Sequence, residues 1–138
     1  MNTLHIATAC FLNDAHQLLV VRKQNTCKWM LPGGKLDGAE SPQQALLREL
    51  QEELQITIDT ASLAPLGFFT AAAANEPDTS VQAHVFHAVL PPASPVTIAA
   101  EIAALQWMDL DAALHDADVA PMLREHVIPA LQQQLAAT

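Results

Sequence analysis

Two glycines, a short loop and a helix crowded with acid constrain this chain more than any other stretch: from Gly33 to Ile56 it reads GGKLDGAESPQQALLRELQEELQI. Ser41 suits a helix N-cap, Pro42 the first helical position, and Gln44 completes an S-x-x-Q capping box. At about 100° per residue, Arg48, Glu52, Ala45, Glu49 and Glu53 share a sector of roughly 140°, while Leu46, Leu47, Leu50 and Leu54 lie opposite. One face packs and the other presents carboxylates. Glutamates three or four positions apart repel by about 0.2–0.5 kcal/mol per pair. Charge concentrated in this way calls for a positive partner, and a divalent cation is the natural one.

Ahead of the helix stands Trp29-Met30-Leu31-Pro32-Gly33-Gly34-Lys35. The two glycines permit a tight, close-approaching backbone that side chains would block, so a carbonyl can be turned toward an ion. Mg²⁺ takes oxygen ligands, keeps several waters and is commonly shared between a few carboxylates and substrate phosphates. Glycine turn and acidic helix together indicate a phosphate site bridged by metal.

In these residues the chain resembles the Nudix hydrolases (MutT-like). Their signature is Gly, five residues, Glu, seven residues, Arg-Glu, an aliphatic, any residue, Glu-Glu, any residue, Gly, an aliphatic. Gly34, Glu40, Arg48, Glu49, Leu50, Glu52, Glu53 and Ile56 meet it, eight of nine constrained positions over 23 residues, and the Trp-x-Leu-Pro-Gly-Gly-Lys lead-in is also typical. Gln55 replaces the second glycine, at a cost on the order of 1 kcal/mol if the left-handed turn is kept. The loop Lys35-Leu36-Asp37-Gly38-Ala39 also departs from the usual pattern, with a shorter acid and its glycine one place early.

The resemblance implies an α/β/α sandwich with a central mixed β-sheet, the motif helix on one side and the C-terminal helix on the other. It further implies Mg²⁺- or Mn²⁺-dependent hydrolysis of a nucleoside diphosphate linked to another group. Carried over residue by residue, Glu52 and Glu53 are first-choice metal ligands with the Gly33 carbonyl. Glu49 is a further ligand or the base that deprotonates water, Arg48 orients the glutamates by ion pairing, and Glu40 supports the cluster. Glu101, six residues before Trp107, stands where some relatives carry an additional metal-binding or basic glutamate; its plain alternative is an exposed loop acid. Glu76 is a weaker candidate for the base.

The net charge of −9 argues against a general nucleic-acid surface, yet five of the six basic residues, Arg22, Lys23, Lys28, Lys35 and Arg48, lie between positions 22 and 48. Arg22 and Lys35 are accordingly the expected contacts for substrate phosphate. With 138 residues, 51% of them hydrophobic, a single domain over 1–138 is expected. The chain has neither an apolar run of membrane-spanning length nor a basic start, so a soluble cytoplasmic protein without a membrane partner is the expectation. Cys10 and Cys27 have no metal spacing. His84 and His87 differ by an odd number and so face opposite ways on a strand.

Alternation and turn residues predict strands over Leu4–Phe11 and Gln17–Arg22, joined as a hairpin by Asn13-Asp14-Ala15-His16, then over Leu66–Ala71, Val81–Leu90 and Ala104–Met108. Pro91, Pro92 and Pro95 predict a surface connection. Asp109–His115 reads as a short helix. Leu123, Val127, Leu131 and Leu135 predict a C-terminal amphipathic helix that Pro129 kinks or splits. Phe68, Phe69, Phe86 and Trp107 are expected in the core, and Trp29 in packing close to the pocket.

Within the family resemblance, the leading expectation is a nucleoside triphosphate pyrophosphohydrolase acting on a small-molecule nucleotide. Alternatives are an ADP-ribose or sugar-nucleotide pyrophosphatase, a dinucleoside polyphosphate hydrolase, and a nucleotide-binding module without turnover. The chain lacks Tyr, and Ala71 and Ala72 stand where a proline marks some subfamilies, which weakens the ADP-ribose and dinucleoside readings. RNA decapping is disfavoured by the missing basic track. Homodimers are common in relatives, and the apolar C-terminal face is a candidate for one.

Overall fold

Alternate residues of the first two strands serve opposite faces, and both faces are covered. The computed structural model describes residues 2–90 and 96–137. Its strands are β1 (Asn2–Phe11), β2 (Gln17–Lys23), β3 (Gly33–Lys35), β4 (Ala64–Ala72), β5 (Thr79–Ala88) and β6 (Ile102–Asp109). Its helices are α1 (Pro42–Leu54), α2 (Leu110–Leu114) and α3 (Ile128–Ala136), with a 3₁₀ turn at Thr60–Ser62. A four-stranded sheet runs β3-β1-β5-β4, and β2 pairs with β6 in a separate antiparallel ribbon. The larger sheet is mixed: β1 is parallel to β5 but antiparallel to β3, and β4 is antiparallel to β5.

Two apolar clusters sit on either side. Ala7, Ala9 and Phe11 of β1, with Leu19 and Val21 of β2, pack against Leu46, Leu50 and Leu54 of α1. Cys10, Leu18 and Val20 pack with Leu123, Val127, Ile128 and Leu131 at the C-terminal end. This is the α/β/α layering expected. The period-2 side-chain alternation of each strand supplies one set of residues to each layer.

Three expectations need correction. The β1–β2 hairpin is rudimentary: a single bridge joins Leu12 to Leu18, Asn13 Oδ1 accepts the N–H groups of Ala15 and Gln17, and the two strands then part into different sheets. Phe68 is 52% exposed and lies against His84, with ring centroids 4.7 Å apart, because it occupies the outer face of edge strand β4. Phe86 is buried, whereas Phe69 and Trp107 are only partly so. The third is Glu53, expected on the polar face of α1 but only 1% exposed. Its wheel position lies only about 20° from Leu46, at the seam where the acidic face meets the packed one.

Pro129 alters the C-terminal helix without splitting it. The residues before it, Leu123–Val127, form a π-helical turn that runs straight into α3. Proline has no N–H to donate and its ring crowds the carbonyl four residues back, so the extra residue of a π turn accommodates it without ending the helix. The predicted Asp109–His115 helix is α2, with Asp109 as N-cap and His115 as C-cap. Pro91, Pro92 and Pro95 lie outside the described residues. No helix among the described residues is long and apolar enough to cross a membrane.

Candidate active site

Helix α1 begins as its sequence dictates. Ser41 Oγ accepts the Gln44 N–H at 3.1 Å, Gln44 Oε1 accepts the Ser41 N–H at 3.0 Å, and Pro42 opens the first turn. At the other end Gln55 adopts a left-handed conformation (φ 55°, ψ 36°), and the Ile56 N–H reaches back to the Leu50 carbonyl at 3.2 Å. Helix length and direction are thus fixed at both termini.

Along the exposed side Arg48 gathers the acids. Its Nε and Nη2 each donate to Glu40 at 2.9 Å, a two-pronged contact, and Nη2 also donates to the Lys35 carbonyl at 3.1 Å. Nη1 donates to Glu49 Oε1 at 2.9 Å and lies 3.5 Å from Glu52 Oε2. Hydrogen bonding from Arg48 and the Asp37 N–H holds the Glu40 carboxyl below the usual carboxylate range, and the guanidinium is in turn raised, first by Glu40 and then by Glu49. Glu40 is thus joined to Glu49 and Glu52 through Arg48.

A methyl group on Gly34 would fall 2.5 Å from the carboxyl carbon of Glu49 and push that side chain aside. Gly33 is required by contact, since a methyl group there (φ 139°) would collide with the Ala7 carbonyl of β1. That closeness lets the Gly33 N–H donate to Glu53 Oε1 at 3.1 Å. The other carboxyl oxygen, Oε2, is buried and makes no hydrogen bond to the protein. Glu53 is pushed up to about 7 mainly by burial; the Gly33 N–H opposes this, the negative charges of Glu49 and Glu101 add to it, and Lys23 pulls it down. A buried, half-satisfied carboxylate is costly unless something positive completes it.

Gly33, Gly34 and Glu49 line a cleft of about 570 Å³, whereas Glu40, Arg48 and Glu53 are not among its lining residues. Its lining includes the charged residues Lys23, Lys35, Glu49 and Glu101, the glycines Gly33 and Gly34, and the apolar Ile6, Met30, Leu31, Val81, Met122 and Leu123. Glu76 also lines it, and the buried, unpartnered Thr8 hydroxyl belongs to another lining residue. Lys23 Nζ and Glu101 Oε1 are 3.2 Å apart.

Arg22 does not line the cleft; its guanidinium lies 5.4 Å from the centre of the Trp29 ring. Its neighbour Lys23, on the other side of an irregularity in the β2–β6 pairing, lines the cleft instead. Strand alternation hinted that one of these neighbours would face the site, but not which one. Glu52 is also outside the lining, with a side chain 54% exposed, and Cys10 is buried away from solvent, which raises its thiol pKa.

Among the described residues no three His, Cys, Asp or Glu side chains form a ready-made metal cage. Glu49 and Glu52 turn to Arg48 instead, as mutually repelling acids do with a cation beside them. The donor set still suits a hard divalent ion. It consists of oxygen ligands, the carboxylates and the Gly33 carbonyl, and one carboxylate oxygen, Glu53 Oε2, is buried without a partner.

The NUDIX domain description matches residues 3–130, and this chain belongs to that family. Among solved structures it is similar to the MutT protein of Methanosarcina mazei Go1, with TM-score 0.79 and 22% identity over 96% of both chains, a likeness of fold. It also resembles the E. coli ORF135 protein in solution, with TM-score 0.73 and 26% identity, covering 99% of this chain and 94% of that one. The 8-oxo-dGTP diphosphatase of Proteus vulgaris is 38% identical over 64 residues, which make up 44% of this chain and 57% of that relative. The chain thus spans little more than half of that curated relative's length.

Proposed function

We propose that this protein is a divalent-metal-dependent pyrophosphohydrolase acting on a nucleotide, with a nucleoside triphosphate as the substrate class. The observation that carries the reading is Glu53: a buried carboxylate with one oxygen unpartnered and the other on the amide of Gly33, which with Glu49 lines a cleft of mixed charged and apolar residues. Relatives named 8-oxo-dGTP diphosphatase and RNA pyrophosphohydrolase support a nucleotide pyrophosphate linkage. The acidic balance of the chain favours the small-molecule nucleotide over RNA.

Glu53, Glu49, Glu52 and the Gly33 carbonyl are the groups that would hold Mg²⁺ or Mn²⁺, with Glu101 as a further ligand. Such an ion supplies neutralisation of phosphate oxygens and a lowered pKa for attacking water. Arg48 keeps Glu49 oriented toward Gly34. Glu49, when not a ligand, takes the proton from water as its oxygen bonds to one phosphorus of the bridge. The bridging P–O bond breaks, and the leaving phosphate keeps the electron pair. Lys35 stands at the cleft to meet phosphate charge, while Met30, Met122, Ile6 and Val81 offer an apolar seat of a size suited to one nucleoside.

Incubation with nucleoside triphosphates, ADP-ribose, a sugar nucleotide and dinucleoside polyphosphates, with Mg²⁺ or Mn²⁺, followed by chromatography of products, tests the reading. Monophosphate and pyrophosphate should form from a triphosphate, and Glu53→Gln should cut turnover by orders of magnitude while the protein stays folded. Binding without turnover across the panel would replace the enzyme reading with a nucleotide-binding module. Near-normal activity of the variant would remove Glu53 from the centre.

A further inference from the structure

The cations around this centre are not equally committed. Arg48 spends its Nε, Nη1 and Nη2 on Glu40, Glu49, Glu52 and the Lys35 carbonyl, and is immobilised by them. Lys23 lies inside the same cleft with Glu101 as its ion-pair partner, 3.2 Å away, their side chains 33% and 59% exposed. The backbone beneath is fixed, since the Gln24 N–H donates to the Glu101 carbonyl at 2.7 Å and ties the ends of β2 and β6 together. Only the two side chains need move. Both charges also act through space on Glu53.

We infer that Lys23 is a resident counter-ion of the acidic centre, which releases Glu101 when a divalent cation enters and then holds a phosphate of the nucleotide. An ion pair this exposed is weak and screened by salt, so giving it up costs little. The flexible stem of lysine allows its ammonium to change partners, which the forked contacts of Arg48 do not. Lys23 is thus a positioning residue: it balances negative charge before the cation arrives and follows that charge onto the substrate afterwards. The phosphate half of this inference rests on the proposed nucleotide reaction; the exchange with the cation does not.

The test is a titration of metal-free protein with Mn²⁺, read by electron paramagnetic resonance without nucleotide, for wild type, Lys23→Met and Lys23→Arg. Removing the competing charge should tighten Mn²⁺ binding in Lys23→Met by about 2- to 5-fold, the worth of an exposed ion pair. Lys23→Arg should stay close to wild type. With saturating Mn²⁺, a non-hydrolysable triphosphate analogue should bind about tenfold more weakly to Lys23→Met, the scale of one lost charged hydrogen bond, and Lys23→Arg should recover most of it. Unchanged or weaker Mn²⁺ binding in Lys23→Met overturns the exchange; undiminished analogue binding overturns the phosphate contact. If wild type binds Mn²⁺ but hydrolyses nothing in the substrate panel, the proposed reaction falls while the Mn²⁺ titration still decides the exchange.

Discussion

Gln55 holds a left-handed backbone where glycine would cost nothing, and its side chain makes none of the contacts that organise the acids. Gln55→Gly should therefore stabilise the protein by about 0.5–1 kcal/mol in urea denaturation, the steric relief outweighing the added freedom of the unfolded chain. Turnover should be unchanged. Arg48, Glu49, Glu52 and Glu53 were readable as a group from spacing alone, because a helix converts sequence intervals into angles, whereas Glu40, ahead of the helix, entered through the family resemblance. What spacing did not reveal is that Glu53 leaves the solvent. A wheel gives direction but not depth, and the depth is set by β1 and β3 closing over Gly33.

Among the elements, α1 has the most explicit boundaries, and its N-terminal capping box lies a full two turns from Glu49. Ser41→Ala should cost about 1 kcal/mol of stability, measured by chemical denaturation, with little change in metal affinity. Segments with strong local signals, α1, α2 and the strand runs, were legible in the sequence. Partner choice was not. The turn at Asn13–His16 looks like a hairpin because hairpins and sharp strand-to-strand corners use the same residues, and only the completed layers send β1 and β2 into different sheets. The π turn ahead of Pro129 was half legible: proline announces a break, while burial of Leu123 and Val127 keeps the segment helical through it.

Across the whole molecule, the buried acid should link stability to pH and, through the proposed metal site, to divalent cation. In the unfolded chain Glu53 loses its proton near 4.5, whereas in the fold it is retained to about 7. Between these values the native state binds more protons, so the free energy of unfolding of the metal-free protein should fall as pH rises and level off above about 7. The ceiling for one carboxyl is on the order of 3 kcal/mol, at about 1.4 kcal/mol per unit. Denaturation at pH 5, 6, 7 and 8 in a chelator should show this slope in wild type and a flatter one in Glu53→Gln. Adding Mg²⁺ or Mn²⁺ should restore wild type most at pH 8, where the carboxylate is ionised and ready to ligate.

The cleft draws its apolar wall, Ile6, Met30, Leu31, Met122 and Leu123, from the layer containing the C-terminal helix or packed against it, while the leucines of the acidic helix anchor in the opposite layer. Substitutions that reshape the proposed nucleoside seat therefore fall in the layer opposite the leucines that anchor the acidic helix. Such an arrangement makes preference for one base over another separately adjustable, so a laboratory lineage selected for new substrates should accumulate its changes in the first layer and leave the second untouched.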